Sequence, residues 1–83
     1  MDSVIVEFLN LDNGNVYSIE IPLDISANEL IVALNNAYHL GLDTMNYTEY
    51  YLGTENPIAF LRGSRLLKDY GIRNGTKIFF KRS

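Results

Sequence analysis

Eighty-three residues, 47% of them hydrophobic, suffice for one small core and no second domain, since a chain of this size buries only about 60% of its unfolded surface. The absence of cysteine excludes a disulfide framework and any thiolate metal site, and no apolar run approaches the ~20 residues that span a bilayer. The formal charge of -3 hides a division: residues 1–61 hold nine carboxylates and no Lys or Arg, whereas residues 62–83 hold all seven basic side chains and only Asp69 against them.

In chain order, residues 4–9 (Val-Ile-Val-Glu-Phe-Leu) are β-rich and residues 16–21 (Val-Tyr-Ser-Ile-Glu-Ile) alternate strictly, with Asp12-Asn13-Gly14-Asn15 between them. This predicts a hairpin turned at Asn13-Gly14, residues that tolerate positive φ. Glu7, Ser18 and Glu20 mark the water-facing side, so Val4, Val6, Phe8, Tyr17, Ile19 and Ile21 point inward and Ile5 and Leu9 outward. Pro22 closes the second strand. Ser26 and Glu29 then have the spacing of a capping box, with Ile25 and Leu30 as its hydrophobic staple. The pattern predicts a helix from about Ala27 to Leu40, stopped by Gly41, whose stripe of Leu30, Ala33, Leu34 and Ala37 covers the hairpin. Tyr47–Leu52 reads as a third strand, Gly53–Pro57 as a loop, Ile58–Leu61 as a short fourth strand, Leu66–Tyr70 as one helical turn and Lys77–Lys81 as the fifth strand. The order ββαββ is that of an α+β protein, a β-grasp with a mixed sheet around one helix, filling residues 1–83 as a single domain.

The segment Leu67-Lys68-Asp69-Tyr70-Gly71-Ile72, followed by Thr76-Lys77-Ile78-Phe79-Phe80, resembles the part of ubiquitin in which an Asp-Tyr pair precedes an apolar residue and the closing strand. Within the ubiquitin-like superfamily the chain looks closest to the YukD/EsaB proteins of type VII (WXG-type) secretion loci. The similar parts are Ile19-Glu20-Ile21-Pro22, the helix residues Asn28 to Leu34, and Ser64 to Gly75. That resemblance implies a cytosolic, bacterial, non-conjugating module that binds proteins of the secretion machine as an accessory or regulatory component. Ubiquitin and the sulfur carriers of the superfamily end in a mobile tail closing with Gly-Gly, whereas this sequence closes with Lys81-Arg82-Ser83, so conjugation and sulfur transfer are not expected of it. Two alternatives stay open: a carrier or modifier lacking its Gly-Gly tail, and a nucleic-acid-binding β-grasp protein.

Catalytic chemistry is not expected. Nucleophilic catalysis needs an activated Ser, Cys or Thr beside a base, and His39 is the one histidine. Carboxylates are scattered singly rather than clustered at metal-ligand spacing, and the glycines are isolated turn residues rather than a phosphate loop, so neither metal nor cofactor is predicted. The Met1-Asp2-Ser3-Val4 start lacks the basic region of a secretory signal, which gives a cytoplasmic expectation without membrane insertion.

Recognition is the function left. If Ile78 and Phe80 face the helix, Lys77, Phe79 and Lys81 turn to the open face of the sheet. With the last strand between the first and third, Phe79 gathers there with Ile5, Leu9 and Tyr51, rimmed by Glu7, Glu49, Lys77 and Lys81, as a protein-docking surface. The charge division has two readings. In one, Lys77 and Lys81 meet acids such as Glu7 across strands, each pair contributing at most ~1 kcal/mol. In the other, Arg62, Arg65, Lys68 and Arg73 form a basic edge for an acidic partner. Net acidity and the lack of a dense Lys/Arg stripe argue against nucleic acid. A weak homodimer through a sheet edge stays open.

Overall fold

β1 (Ser3–Asn10) and β2 (Asn15–Pro22) pair antiparallel, with Val4 opposite Ile21, Val6 opposite Ile19 and Phe8 opposite Tyr17. The computed structural model describes residues 2–43 and 50–80. Val6, Phe8 and Ile21 are buried, and Val4, Tyr17 and Ile19 pack half-buried against the same core, the face that alternation assigns them. The turn differs in detail. Asn10 O accepts the N–H groups of Asn13 at 3.3 Å and Gly14 at 2.8 Å, and the positive φ falls on Gly14 (76°) and not on Asn13. Asn13 contributes through its side chain, whose Oδ1 accepts the Asn15 N–H at 2.9 Å.

α1 (Ala27–Tyr38) begins at the predicted cap: Ser26 is extended, its Oγ accepts the Glu29 N–H at 3.1 Å, and its hydroxyl reaches the Glu29 carboxylate at 3.3 Å. Sequence places the stop at Gly41, but the helix ends earlier. His39 takes the left-handed conformation (φ 53°, ψ 52°) directly after Tyr38, and Leu40 and Leu42 turn back into the core. The stripe is also rotated. Leu30 and Leu34 are buried with Ala27 and Ile31, whereas Ala33 and Ala37 are exposed. Both stripes have helical spacing and share the two leucines, so side-chain size decides between them. Burying Ile31 gains about 1.5–3 kcal/mol over leaving it in water, and an exposed alanine forgoes much less.

β3 (Leu52–Glu55), β4 (Ala59–Leu61) and β5 (Lys77–Phe80) complete one sheet in the order β2-β1-β5-β3-β4, with β5 parallel to β1 and antiparallel to β3. The residues Gly53, Thr54 and Glu55, which read as loop, are therefore strand, and Tyr47, Thr48 and Glu49 of the predicted third strand lie outside the described residues. On the helix side Ile78 and Phe80 join Phe8, Leu30, Ile31, Leu52 and Leu61 in the core. Two threonines are buried with them and are satisfied. Thr54 Oγ1 donates to Pro57 O at 2.7 Å, and Thr76 Oγ1 donates to Asn56 O at 2.8 Å while accepting the Arg73 N–H at 3.1 Å. A 3₁₀ turn at Leu67–Tyr70 inserts Leu67 beneath the sheet and is tied to the β2–α1 connection by Leu67 N–H to Ile25 O (2.9 Å) and Lys68 N–H to Leu23 O (3.1 Å).

Candidate functional site

The register of four strand pairs lays out the face of the sheet opposite the helix. Leu9 stands opposite Val16 and Phe79, Phe79 opposite Gly53, and Gly53 opposite Phe60. One apolar row, Val16–Leu9–Phe79–Gly53–Phe60, thus crosses all five strands, about 19 Å at the usual strand spacing. Its middle is flat. Leu9 and Phe79 are half-buried, and the Phe79 ring lies toward Gly53, its Cδ2 3.9 Å from where a Cβ would stand. Its ends project: Phe60 is 67% and Val16 58% exposed. Tyr51, just before β3, packs edge-on against Phe60 at 5.5 Å between ring centroids, and with Arg62 the two rings line a shallow depression of about 280 Å³.

The next row along the strands is polar: Ser18 opposite Glu7, Glu7 opposite Lys77, Lys77 opposite Glu55. A cation flanked by carboxylates on both neighbouring strands is electrostatically matched, and in water each such pair contributes at most ~1 kcal/mol. Lys77 therefore stands opposite Glu7 in the register, and opposite Glu55, which the sequence reading left in a loop, but no ion pair within 4 Å joins it to either carboxylate.

Of the predicted docking residues, Leu9, Phe79 and Lys77 are brought together, and Tyr51 adjoins them through Phe60. Ile5 is not part of the cluster. It is exposed on the same face but opposite Glu20, four residues from Leu9 and so about 13 Å away along the strand, with the Glu7–Lys77 row between. Lys81 and Glu49 lie outside the described residues. Val16 and Phe60 are additions. Val16 could have been found from the alternation that sends Ser18 and Glu20 to water, whereas Phe60 sits among four consecutive apolar residues that carry no facing signal.

The predicted basic edge divides. Around Tyr70, the hydroxyl donates to Arg62 O at 3.0 Å and accepts the Arg62 N–H at 3.3 Å, while the Arg65 guanidinium lies 5.1 Å from the ring centroid. Arg73 is elsewhere, with Nη2 donating to Asn56 Oδ1 at 2.6 Å, and Lys68 is exposed on the 3₁₀ turn. Among the described residues no group of three or more His, Cys, Asp or Glu side chains could hold a metal ion, and no helix is long and apolar enough to cross a membrane.

No protein-family model and no curated protein matches the chain. Solved structures do. A de novo protein designed on the basis of ubiquitin superposes with a TM-score of 0.69 at 15% identity, over 95% of this chain and 87% of its own. The C-terminal ubiquitin-like domain of mouse tubulin-specific chaperone e gives 0.68 at 11% identity, over 98% and 90%. The UBL domain of Plasmodium falciparum Dsk2 gives 0.60 at 18% identity, over 94% and 97%. At these identities the likeness is one of architecture: the chain has the ubiquitin-like β-grasp fold, with the five-stranded mixed sheet and single helix that the element order predicts.

Proposed function

We propose that this chain is a protein-binding module that docks a partner on the open face of its sheet and performs no chemistry itself. The observation that carries this reading is the apolar row from Val16 to Phe60, which crosses every strand and is bordered by the Glu7–Lys77–Glu55 row. An apolar centre beside a charged rim is the make-up of a transient protein interface. The finer reading rests on the segments that resemble YukD/EsaB proteins: a cytosolic accessory or regulatory component of a bacterial type VII secretion system, bound to other components of that machine.

The test is binding to purified WXG-type substrates and to the soluble part of the membrane ATPase of a type VII locus. Phe60→Ala and Phe79→Ala should each weaken capture about 30-fold if these rings are hot spots, and Ile5→Asp, outside the row, should weaken it much less. Folded variants that bind as the parent does would remove the face from the proposal. Absence of binding to any secretion component, with the face active toward another protein, would remove the secretion reading alone.

A further inference from the structure

We infer that the free edge of β4, with the two arginines at its end, is a docking site for a short extended segment of a partner protein that carries an aliphatic residue and, two residues away, a carboxylate. The site adjoins the open-face row at Phe60 and does not need that row to be occupied.

Hydrogen-bond parity defines the edge. The Tyr70 hydroxyl donates to Arg62 O at 3.0 Å and accepts the Arg62 N–H at 3.3 Å, so the Arg62 backbone points away from β3. Alternation then turns Ala59 and Leu61 toward β3, where Ala59 O meets Thr54 Oγ1 at 3.3 Å, and sends the N–H and C=O of Phe60 outward. Gly53, opposite Phe60, is spent on its other side: Leu11 N–H reaches Phe80 O at 2.8 Å, so Phe80 directs its backbone to β1 and Phe79 directs its own to Gly53. β4 is the last strand in the sheet order, and neither backbone group of Phe60 takes a bond among the described residues. Among those residues Phe60 in β4 and Ile58 directly before it are also the two most exposed large apolar side chains. Such an edge is a template for one more strand.

Charge decides what that strand carries. Tyr70 fixes two cations at once: its hydroxyl holds the Arg62 backbone at the end of the edge, and the Arg65 guanidinium lies over its ring, 5.1 Å from the centroid. Both arginines are exposed, Arg62 lines the depression of about 280 Å³ with Tyr51 and Phe60, and no carboxylate among the described residues pairs with either. Lys68 adds a third exposed cation on the adjoining 3₁₀ turn, and Asp69 is the one acid between residues 62 and 76. At the opposite end Glu55 follows the Thr54–Ala59 pair, so acids are favoured on the Arg62 side and not on the Ile58 side. Cations already held in place and left without a partner match a carboxylate at little ordering cost. A second copy matches poorly, because antiparallel pairing of two β4 edges about Phe60 would set Arg62 opposite an isoleucine, with its charge unanswered.

The probes are two end-blocked peptides of reversed order, Glu-Glu-Thr-Ile-Thr-Val and Val-Thr-Ile-Thr-Glu-Glu, titrated into the ¹⁵N-labelled chain at low salt. The first sets its acids beside Arg62 in an antiparallel pairing and the second in a parallel one, so one of the two should bind better and report the direction. With it the amides of Phe60, Arg62 and Arg65 should shift, and the Phe60 amide should gain exchange protection. Methylating every second peptide nitrogen should weaken binding about tenfold in one phase and less than about twofold in the other, since only one set faces β4. Arg62→Gln and Arg65→Gln should each weaken it about fivefold, and exchanging the peptide glutamates for lysine should abolish it. No response from either peptide at ~1 mM, or binding unchanged by both arginine variants, would overturn the proposal. Shifts confined to Val16, Leu9 and Phe79 would overturn it while leaving the open-face reading in place. Protection of the Phe60 amide without peptide, in a chain that sediments as a dimer, would give the edge to a second copy, and tighter binding of an oligothymidylate than of either peptide would give the arginines to nucleic acid; each overturns it as well.

Discussion

The two faces of β5 are one residue out of phase and have opposite fates. Ile78 and Phe80 lie under α1 and are almost completely buried, while Lys77 is exposed and Phe79 only half-covered. Phenylalanine occurs on both sides, so residue type does not decide burial; the presence of a helix on one side does. The closed face is a core whose shape is fixed by packing, whereas the open face keeps its apolar row at the surface, where its contribution to folding is small.

The strongest way to sharpen that contrast is on the closed face. Phe8→Ala should destabilise the chain by about 3–5 kcal/mol, seen as a lower midpoint in urea unfolding, because a fully buried ring leaves a cavity. A smaller effect is expected from Thr76→Val, about 1–3 kcal/mol by the same measurement. Its methyl groups fill the space, but the Arg73 N–H and the Asn56 carbonyl lose their shared hydroxyl in a buried setting. The smallest belongs to the open face: Phe60→Ser should shift stability by no more than ~0.5 kcal/mol. A large loss there would mean that the row is part of the core and would break the distinction between the faces.

Where local chemistry determined the structure, the sequence was legible. The hairpin, the Ser26 cap, the inward alternation of β1 and β2 and the phase of β5 follow from residue pattern alone. Elsewhere partners decided. Gly53-Thr54-Glu55 has the composition of a loop, yet it becomes a strand because β5 and β4 offer hydrogen bonds on both sides and the Phe79 ring covers the glycine. The helix phase was ambiguous because two stripes shared Leu30 and Leu34, and the left-handed His39 ended the helix before the glycine that signals a stop. The candidate site was half legible for the same reason. Leu9, Lys77 and Phe79 come from strands whose alternation is clear, while Phe60 and Glu55 enter through a register that only the folded sheet sets.

The position of β5 has a consequence for how this molecule is made. It is the last of the five described strands in sequence but the middle one in the sheet, with β1–β2 on one flank and β3–β4 on the other. Until residues 77–80 have emerged from the ribosome, the two hairpins have no common neighbour, and the pairing of Glu7 with Lys77 must close a loop over residues 7–77. Folding of the sheet therefore waits for residues 77–80, and before they are made the chain presents two separate strand pairs with open inner edges, the state in which it is most exposed to mispairing with another copy.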